Sequence, residues 1–169
     1  IGLYAALHYA GFMTDEEIRS CIDKLPEQII MMCKSEDKKA FTRGGIEKTV
    51  SDYSMSVPGP SEMSKKIWRY AIEKGHEVMA KVQVNNTWEM STVPFLPVFD
   101  LVREHMEGLR DEGIKHLMLS WTLGGYPSVN LKVASACMQA DGESEYQKVL
   151  ETEYGEYAEA VQKATNIFS

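Results

Sequence analysis

The chain has 169 residues, 44% hydrophobic and 25% charged, enough for one globular domain with a sizeable core. A net charge of −7 and the lack of any basic stripe argue against a phosphate-backbone partner, so no nucleic acid is expected. No apolar run approaches the ~20 residues of a membrane span, which leaves no membrane partner either.

Cys21, Cys33 and Cys137 are odd in number, far apart and set among apolar residues. They read as small core hydrophobes in a reducing compartment, which favours the cytoplasm. His8, His76, His105 and His116 are scattered without a His-x-x-x-His pair, so neither a metal nor another cofactor is expected. The chain begins at Ile1 and stops within a helical pattern at Phe168 and Ser169, and it reads as a piece cut at both ends, with any leader outside it.

Residues 2–12 are apolar and aromatic and fit either a strand with its loop or a helical turn. Thr14-Asp15-Glu16-Glu17 is a capping box, and the helix it starts carries Ile18, Cys21, Ile22 and Leu25 on one face until Pro26. The continuous apolar run within 28–33 predicts a strand buried on both faces. The segment 37–60 is long and irregular, with Gly44-Gly45, Asp52-Tyr53 and Pro58-Gly59-Pro60; such length inside a domain usually serves function. Within it, 49–57 alternates like another short strand.

Ser61 caps the next helix, whose inward stripe is Met63, Ile67, Tyr70 and Ala71, and Gly75 closes it. Trp68, on the same helix, reads as packing. A strand over 77–84 leads into the loop Asn85-Asn86-Thr87-Trp88-Glu89, which Pro94 and Pro97 close. The pattern then repeats. Leu101, Val102, His105, Met106 and Leu109 mark a helix ended by Gly113, a strand follows over 115–122, and 123–128 is its loop. The methionines Met31, Met32, Met63, Met79, Met106 and Met118 fall at positions expected to face the core. From Asp141 onward the pattern is wholly helical.

Gly75 and Gly113 are equivalent points in two successive helix–Gly–strand–loop units, and their offset fits the roughly 31 residues of one barrel unit. The expected fold is α/β: residues 1–140 form the last strands and helices of a (β/α)8 TIM barrel, and 141–169 begin a helical appendage. Glu36, the group Asn85, Asn86, Trp88 and Glu89, and then Trp121 all lie just beyond hydrophobic runs. In a parallel sheet those positions share the rim where α/β folds place chemistry.

The stretches Asp52-Tyr-Ser-Met-Ser-Val-Pro-Gly-Pro60, Lys81-Val-Gln-Val-Asn-Asn-Thr-Trp-Glu89, Val93-Pro-Phe-Leu-Pro97 and Leu119-Ser-Trp-Thr-Leu-Gly-Gly-Tyr-Pro-Ser128 are the most distinctive in the chain. They resemble the C-terminal half of the TIM barrel in bacterial glycoside hydrolases of the family 20 hexosaminidase type and their relatives. The resemblance spans about 24–132. It implies cleavage of an O-glycosidic bond by carboxylate acid/base chemistry on a carbohydrate substrate, with the other barrel half of the same polypeptide as partner. In that family the acid/base carboxylate follows the fourth strand, upstream of this chain, so this half supplies mainly sugar-binding residues.

Glycoside chemistry needs two carboxyl groups, one of them protonated at working pH. Glu89, whose pKa the neighbouring Trp88 would raise, and Glu36 are the candidates. Trp88 and Trp121 offer stacking faces for a sugar ring, and Asn85 and Asn86 offer paired donors and acceptors. Asp52, Tyr53 and Tyr126 complete the substrate-binding set, the first two if 49–57 is a strand. Two other readings stand beside this one: a non-catalytic carbohydrate-binding protein on the same scaffold, and a small α/β protein-interaction domain in which the 29–33 strand has both edges paired or covered.

Overall fold

A computed structural model describes residues 3–7, 10–86, 92–120, 126–139 and 141–168. Four strands, β1 (Leu3–Leu7), β2 (Ile29–Lys34), β5 (Val78–Val82) and β6 (His116–Leu119), form one sheet in the order β1-β2-β5-β6. Every pairing in it is parallel. Between β2 and β5 lie the strands β3 (Ala40–Arg43) and β4 (Ile46–Thr49), an antiparallel hairpin of their own. The helices are α1 (Asp15–Ile22), α2 (Glu62–Glu73), α3 (Phe99–Asp111), α4 (Val129–Cys137), α5 (Gly142–Tyr154) and α6 (Ala158–Thr165). The chain is thus α/β, with helices crossing between parallel strands that advance across the sheet in one direction.

Local chemistry sets the helix ends. Thr14 Oγ1 accepts from the Glu17 amide at 3.2 Å while Glu17 Oε2 accepts from the Thr14 amide at 2.8 Å, the reciprocal capping box. Ser61 Oγ accepts from the Ser64 amide to start α2, and Ser128 Oγ from the Leu131 amide to start α4. Gly75 and Gly113, at φ +90° and +74°, turn the chain out of α2 and α3 in the left-handed region that penalises a Cβ.

Successive strand residues face opposite sides, and the core uses one side only. Leu7, Met31, Cys33, Val78, Ala80, Val82, Leu117 and Leu119 share one parity and pack with Ile18, Ile67, Trp68, Val102, Met106, Val133 and Tyr146 of the helices. Trp68 is fully buried with its indole N–H donated to the Met79 carbonyl, and truncating such a side chain costs about 3–5 kcal/mol. The other parity, Met32, Lys34, Met79, Lys81 and Met118, lies outside this core. α5 and α6 share the core with α3 and α4, and Asp100 of α3 accepts from both Tyr146 and Gln162.

Three expectations need correction. The segment 49–57 is not a strand beyond Thr49; the strands are β3 and β4, joined at Gly44-Gly45 with φ of +59° and +76°. Cys21 is exposed, so it is not a core residue, whereas Cys33 and Cys137 are buried. Met79 and Met118 are only partly buried, on the sheet side away from the helices; Met32 lies on that side too but is buried as expected. The stretch after Ser128 is helical through Cys137, a helix not foreseen there.

Candidate functional site

The sheet face without helices becomes polar toward the C-terminal ends of its two central strands. Met32 and Met79 are in register, and one layer further on Lys34 and Lys81 are in register. The ladder continues through the Ser35 amide to the Lys81 carbonyl at 3.1 Å, which puts Glu36 and Gln83 in the next layer. Lys34, Glu36, Asp37, Lys81 and Gln83 are all buried.

Ser35 has the opposite parity and anchors this rim to the helices. Its hydroxyl is 2.7 Å from His105 Nε2 on α3, and its carbonyl accepts from the Ser61 amide at 2.8 Å. Burial, followed by the charge of Lys39, pushes the His105 pKa down to about 3, so the ring is neutral. Gly59 lies against this pair so closely that a Cβ there would stand 2.4 Å from Ser35 Oγ and 2.6 Å from His105 Nε2. The irregular segment is thereby seated on the end of β2.

Glu36 is fully buried, and its Oε1 accepts from the Ser54 amide at 2.8 Å. Its Oε2 has no partner. Burial pushes its pKa up to about 8; the Ser54 amide and Lys34 oppose the shift without cancelling it. The carboxyl therefore holds its proton at neutral pH. Asp37 accepts from the Gly11 amide at 3.2 Å through Oδ2, which lies 3.7 Å from Lys34 Nζ, while Oδ1 has no partner. Gln83 Oε1 is also unpartnered.

Asp52 and Tyr53 reach the same rim although no strand carries them. Lys34 Nζ donates to Asp52 Oδ1 at 3.0 Å, and the Tyr53 ring centroid lies 5.6 Å from Lys34 Nζ and 5.3 Å from Lys81 Nζ. Burial, with Asp52, Glu36 and Asp37 adding to it, raises the Tyr53 pKa.

Asn85 and Asn86 follow β5 but are engaged with loop backbone. Asn85 Nδ2 donates to the Tyr126 carbonyl at 2.9 Å, and its Oδ1 accepts from Ser128 Oγ at 2.5 Å. Asn86 Nδ2 donates to the Val93 carbonyl at 3.2 Å. Asn130, from α4, donates to the Val84 and Leu96 carbonyls at 2.6 and 2.7 Å. These amides fold the segments after β5 and β6 onto the sheet end. Tyr126 is 46% exposed and stacks on Phe95, centroids 5.9 Å apart with 10° between ring planes.

Trp88, Glu89 and Trp121 lie outside the described residues. Of the sequence candidates, Glu36, Asp52 and Tyr53 come together on one rim, and Asn85 and Tyr126 adjoin each other after the central strands. Lys34, Asp37, Lys81 and Gln83 were missed. The alternation Lys81-Val82-Gln83-Val84, polar and apolar in turn, was the signal that could have found two of them. Among the described residues no group of three or more His, Cys, Asp and Glu is placed to hold a metal ion. No described helix is long and apolar enough to cross a membrane. Comparison of the chain with protein-family models, curated proteins and solved structures finds no match.

Proposed function

We propose that the chain is the C-terminal part of a (β/α)8-barrel glycoside hydrolase, with Glu36 as the acid that protonates the departing glycosidic oxygen. One observation carries the reading: a fully buried carboxyl at the C-terminal end of a parallel strand, pushed up to about 8, with one oxygen unpartnered. Such a group keeps its proton at the pH where a leaving oxygen needs one. The second carboxylate is Glu89. Asp37 and Asp52 orient Lys34, and Tyr53 walls the rim.

The barrel itself is part of the proposal. It is supported by four parallel strands that advance in one direction with a single-sided helical core, since a doubly wound sheet reverses its order and takes helices on both faces. Strand β2 has both edges paired, as the protein-interaction reading also requires, so that feature does not separate the two.

The test is the pH profile of kcat/KM on a panel of aryl glycosides, for the wild type and for Glu36→Gln. Loss of the acid is expected to lower the rate by about 10²–10⁴ and to remove the alkaline limb. Wild-type cleavage that survives in Glu36→Gln with both limbs intact would overturn the role of Glu36. A second reading, carbohydrate binding without cleavage, is favoured by the Phe95–Tyr126 stack, whose Tyr126 side is exposed. Glycan retention without turnover of any aryl glycoside, lost in Tyr126→Ala, would select it.

A further inference from the structure

We propose that residues 51–54 are a strap that closes over the polar rim and opens locally to let a substrate reach Glu36. The inference rests on Glu36 as the group a substrate must touch; its test reads the opening alone and needs no glycoside.

The need for an opening comes from burial. Glu36 and Lys34 are 0% and 5% exposed, so neither can meet a substrate while the rim is closed. Residues 51–54 lie against both. Lys34 Nζ donates to Asp52 Oδ1 at 3.0 Å, the Ser54 amide donates to Glu36 Oε1 at 2.8 Å, and the Tyr53 ring centroid lies 5.6 Å from Lys34 Nζ.

Both ends of the strap are fixed. At one end Val50 is buried, its amide donates to the Lys39 carbonyl at 2.9 Å, and its carbonyl accepts from the Lys38 amide at 2.8 Å. At the other end Met55 joins the core, and Val57 and Gly59 beyond it are buried. Between these anchors the character changes. Ser51 and Asp52 are exposed, and Tyr53 and Ser54 are only half-buried. The described contacts that seat the four are an ion pair, a hydrogen bond and a cation–π contact rather than packed apolar surface. Segments seated in this way open locally, well below the free energy of global unfolding. An open groove of about 400 Å³, lined also by Phe41 and Lys48 of the β3–β4 hairpin, borders the strap. Opening is further favoured because water admitted to the face meets Glu36 Oε2 and Gln83 Oε1, both unpartnered.

The Lys34–Asp52 pair is the contact a substitution can release. Asp52 is 54% exposed, and a pair so exposed holds the strap by no more than about fivefold. Without Asp52, Lys34 stays buried with Asp37 at 3.7 Å, which disfavours the closed form further.

Amide hydrogen exchange of the full chain is followed residue by residue by NMR, in urea concentrations below the unfolding transition. The Ser54 amide is bonded to a buried oxygen, so its exchange reports lifting of the strap. In the wild type it is expected to exchange at least about tenfold faster than the Cys33 and Ala80 amides and independently of urea, whereas the sheet amides follow urea. Asp52→Asn is expected to speed Ser54 exchange by about fivefold or more, and acetylation of the buried Lys34 amine by acetic anhydride in step with it, with the sheet amides at wild-type rates. Thr14→Ala, which weakens α1 without touching the strap, is expected to leave Ser54 exchange unchanged. Wild-type Ser54 exchange at the rate and urea dependence of the sheet would overturn the proposal. So would an Asp52→Asn variant in which Ser54 and the sheet speed up equally. The wild-type series decides alone if Asp52→Asn fails to fold. A strap that opens while Glu36→Gln still cleaves at the wild-type rate upholds the strap and overturns only the Glu36 acid; a strap that stays shut beside a lost alkaline limb does the reverse.

Discussion

Replacing Glu36 by Gln removes a proton that the folded chain holds near neutrality, and stability against pH reads this out without any substrate. The folded pKa is about 8, and the unfolded value for Glu is about 4.3. Between the two, the unfolded chain has released the proton and the native chain keeps it. The unfolded state then binds fewer protons, so wild-type stability falls as pH rises through this window, and the slope ends once the native carboxyl also ionises. Each pKa unit corresponds to about 1.36 kcal/mol, so a window of more than three units caps the loss at roughly 4–5 kcal/mol. Water entering beside the ionised group lowers that ceiling.

For a chain of this size ~1 kcal/mol moves Tm by about 2–4 °C, which makes the expected effect roughly 10 °C. Thermal melts of wild type and Glu36→Gln are recorded from about pH 4.5 to 9, and one curve is subtracted from the other. Groups that titrate alike in both variants cancel. The wild type is expected to lose ground steadily to the Gln variant across the window. A flat difference between about pH 5 and 8 would refute the reasoning, because Glu36 would then titrate like an exposed carboxylate. At Glu36 the Lys34 charge works against the upward shift and the Asp37 charge adds to it.

Gly59→Ala forces a methyl to within 2.4 Å of Ser35 Oγ and 2.6 Å of His105 Nε2, and chemical denaturation is expected to show a loss of about 1–3 kcal/mol. Thr14→Ala deletes the hydroxyl half of the capping box and keeps the backbone amide that donates to Glu17, and the same measurement should give a loss of about 0.5–2 kcal/mol. His105 is held neutral down to about pH 3, while the unfolded ring gains a proton near 6.5, so stability falls as pH drops through that interval. His105→Gln is expected to flatten that acid limb in a pH series of melts. Gln83→Met removes a buried unpartnered acceptor, so Tm is expected to hold or rise while retention on an immobilised glycan weakens.

The helix ends were legible because capping is local: Thr14 with Glu17, Ser61 with Ser64, and the left-handed glycines Gly75 and Gly113 all act within a few residues. The β3–β4 hairpin was not, because its strands are almost wholly exposed and carry no apolar alternation; only Gly44-Gly45 announced it. Asn85 looked like a ligand-binding amide because its partners, Tyr126 and Ser128, lie more than forty residues on and no spacing rule reaches them. Lys34 and Lys81 escaped notice for a related reason. Lys34 reads as the start of a polar loop and Lys81 as one polar position of an alternating strand, and only the register between β2 and β5 makes them a pair. Asp52 and Tyr53 were chosen on a strand that does not exist, yet they reach the rim because the irregular segment is seated by Gly59 against Ser35 and His105.

The helical core and the polar residues use opposite parities of the same strands. Cys33, Ala80, Val82 and Val84 feed the helical core, while their immediate neighbours Lys34, Lys81 and Gln83 form the polar face. A buried polar atom without a partner costs about 1–3 kcal/mol, and three such atoms belong to residues just beyond the C-terminal ends of β2 and β5: Glu36 Oε2, Asp37 Oδ1 and Gln83 Oε1. Their chemistry is not uniform. Because Glu36 Oε1 already accepts from Ser54, the retained proton belongs on Oε2, which makes that atom a donor, whereas Asp37 Oδ1 and Gln83 Oε1 are acceptors. A bare anion would satisfy the donor and leave both acceptors unmet; a bare cation would do the reverse. Groups that both donate and accept, such as hydroxyls or water, satisfy all three.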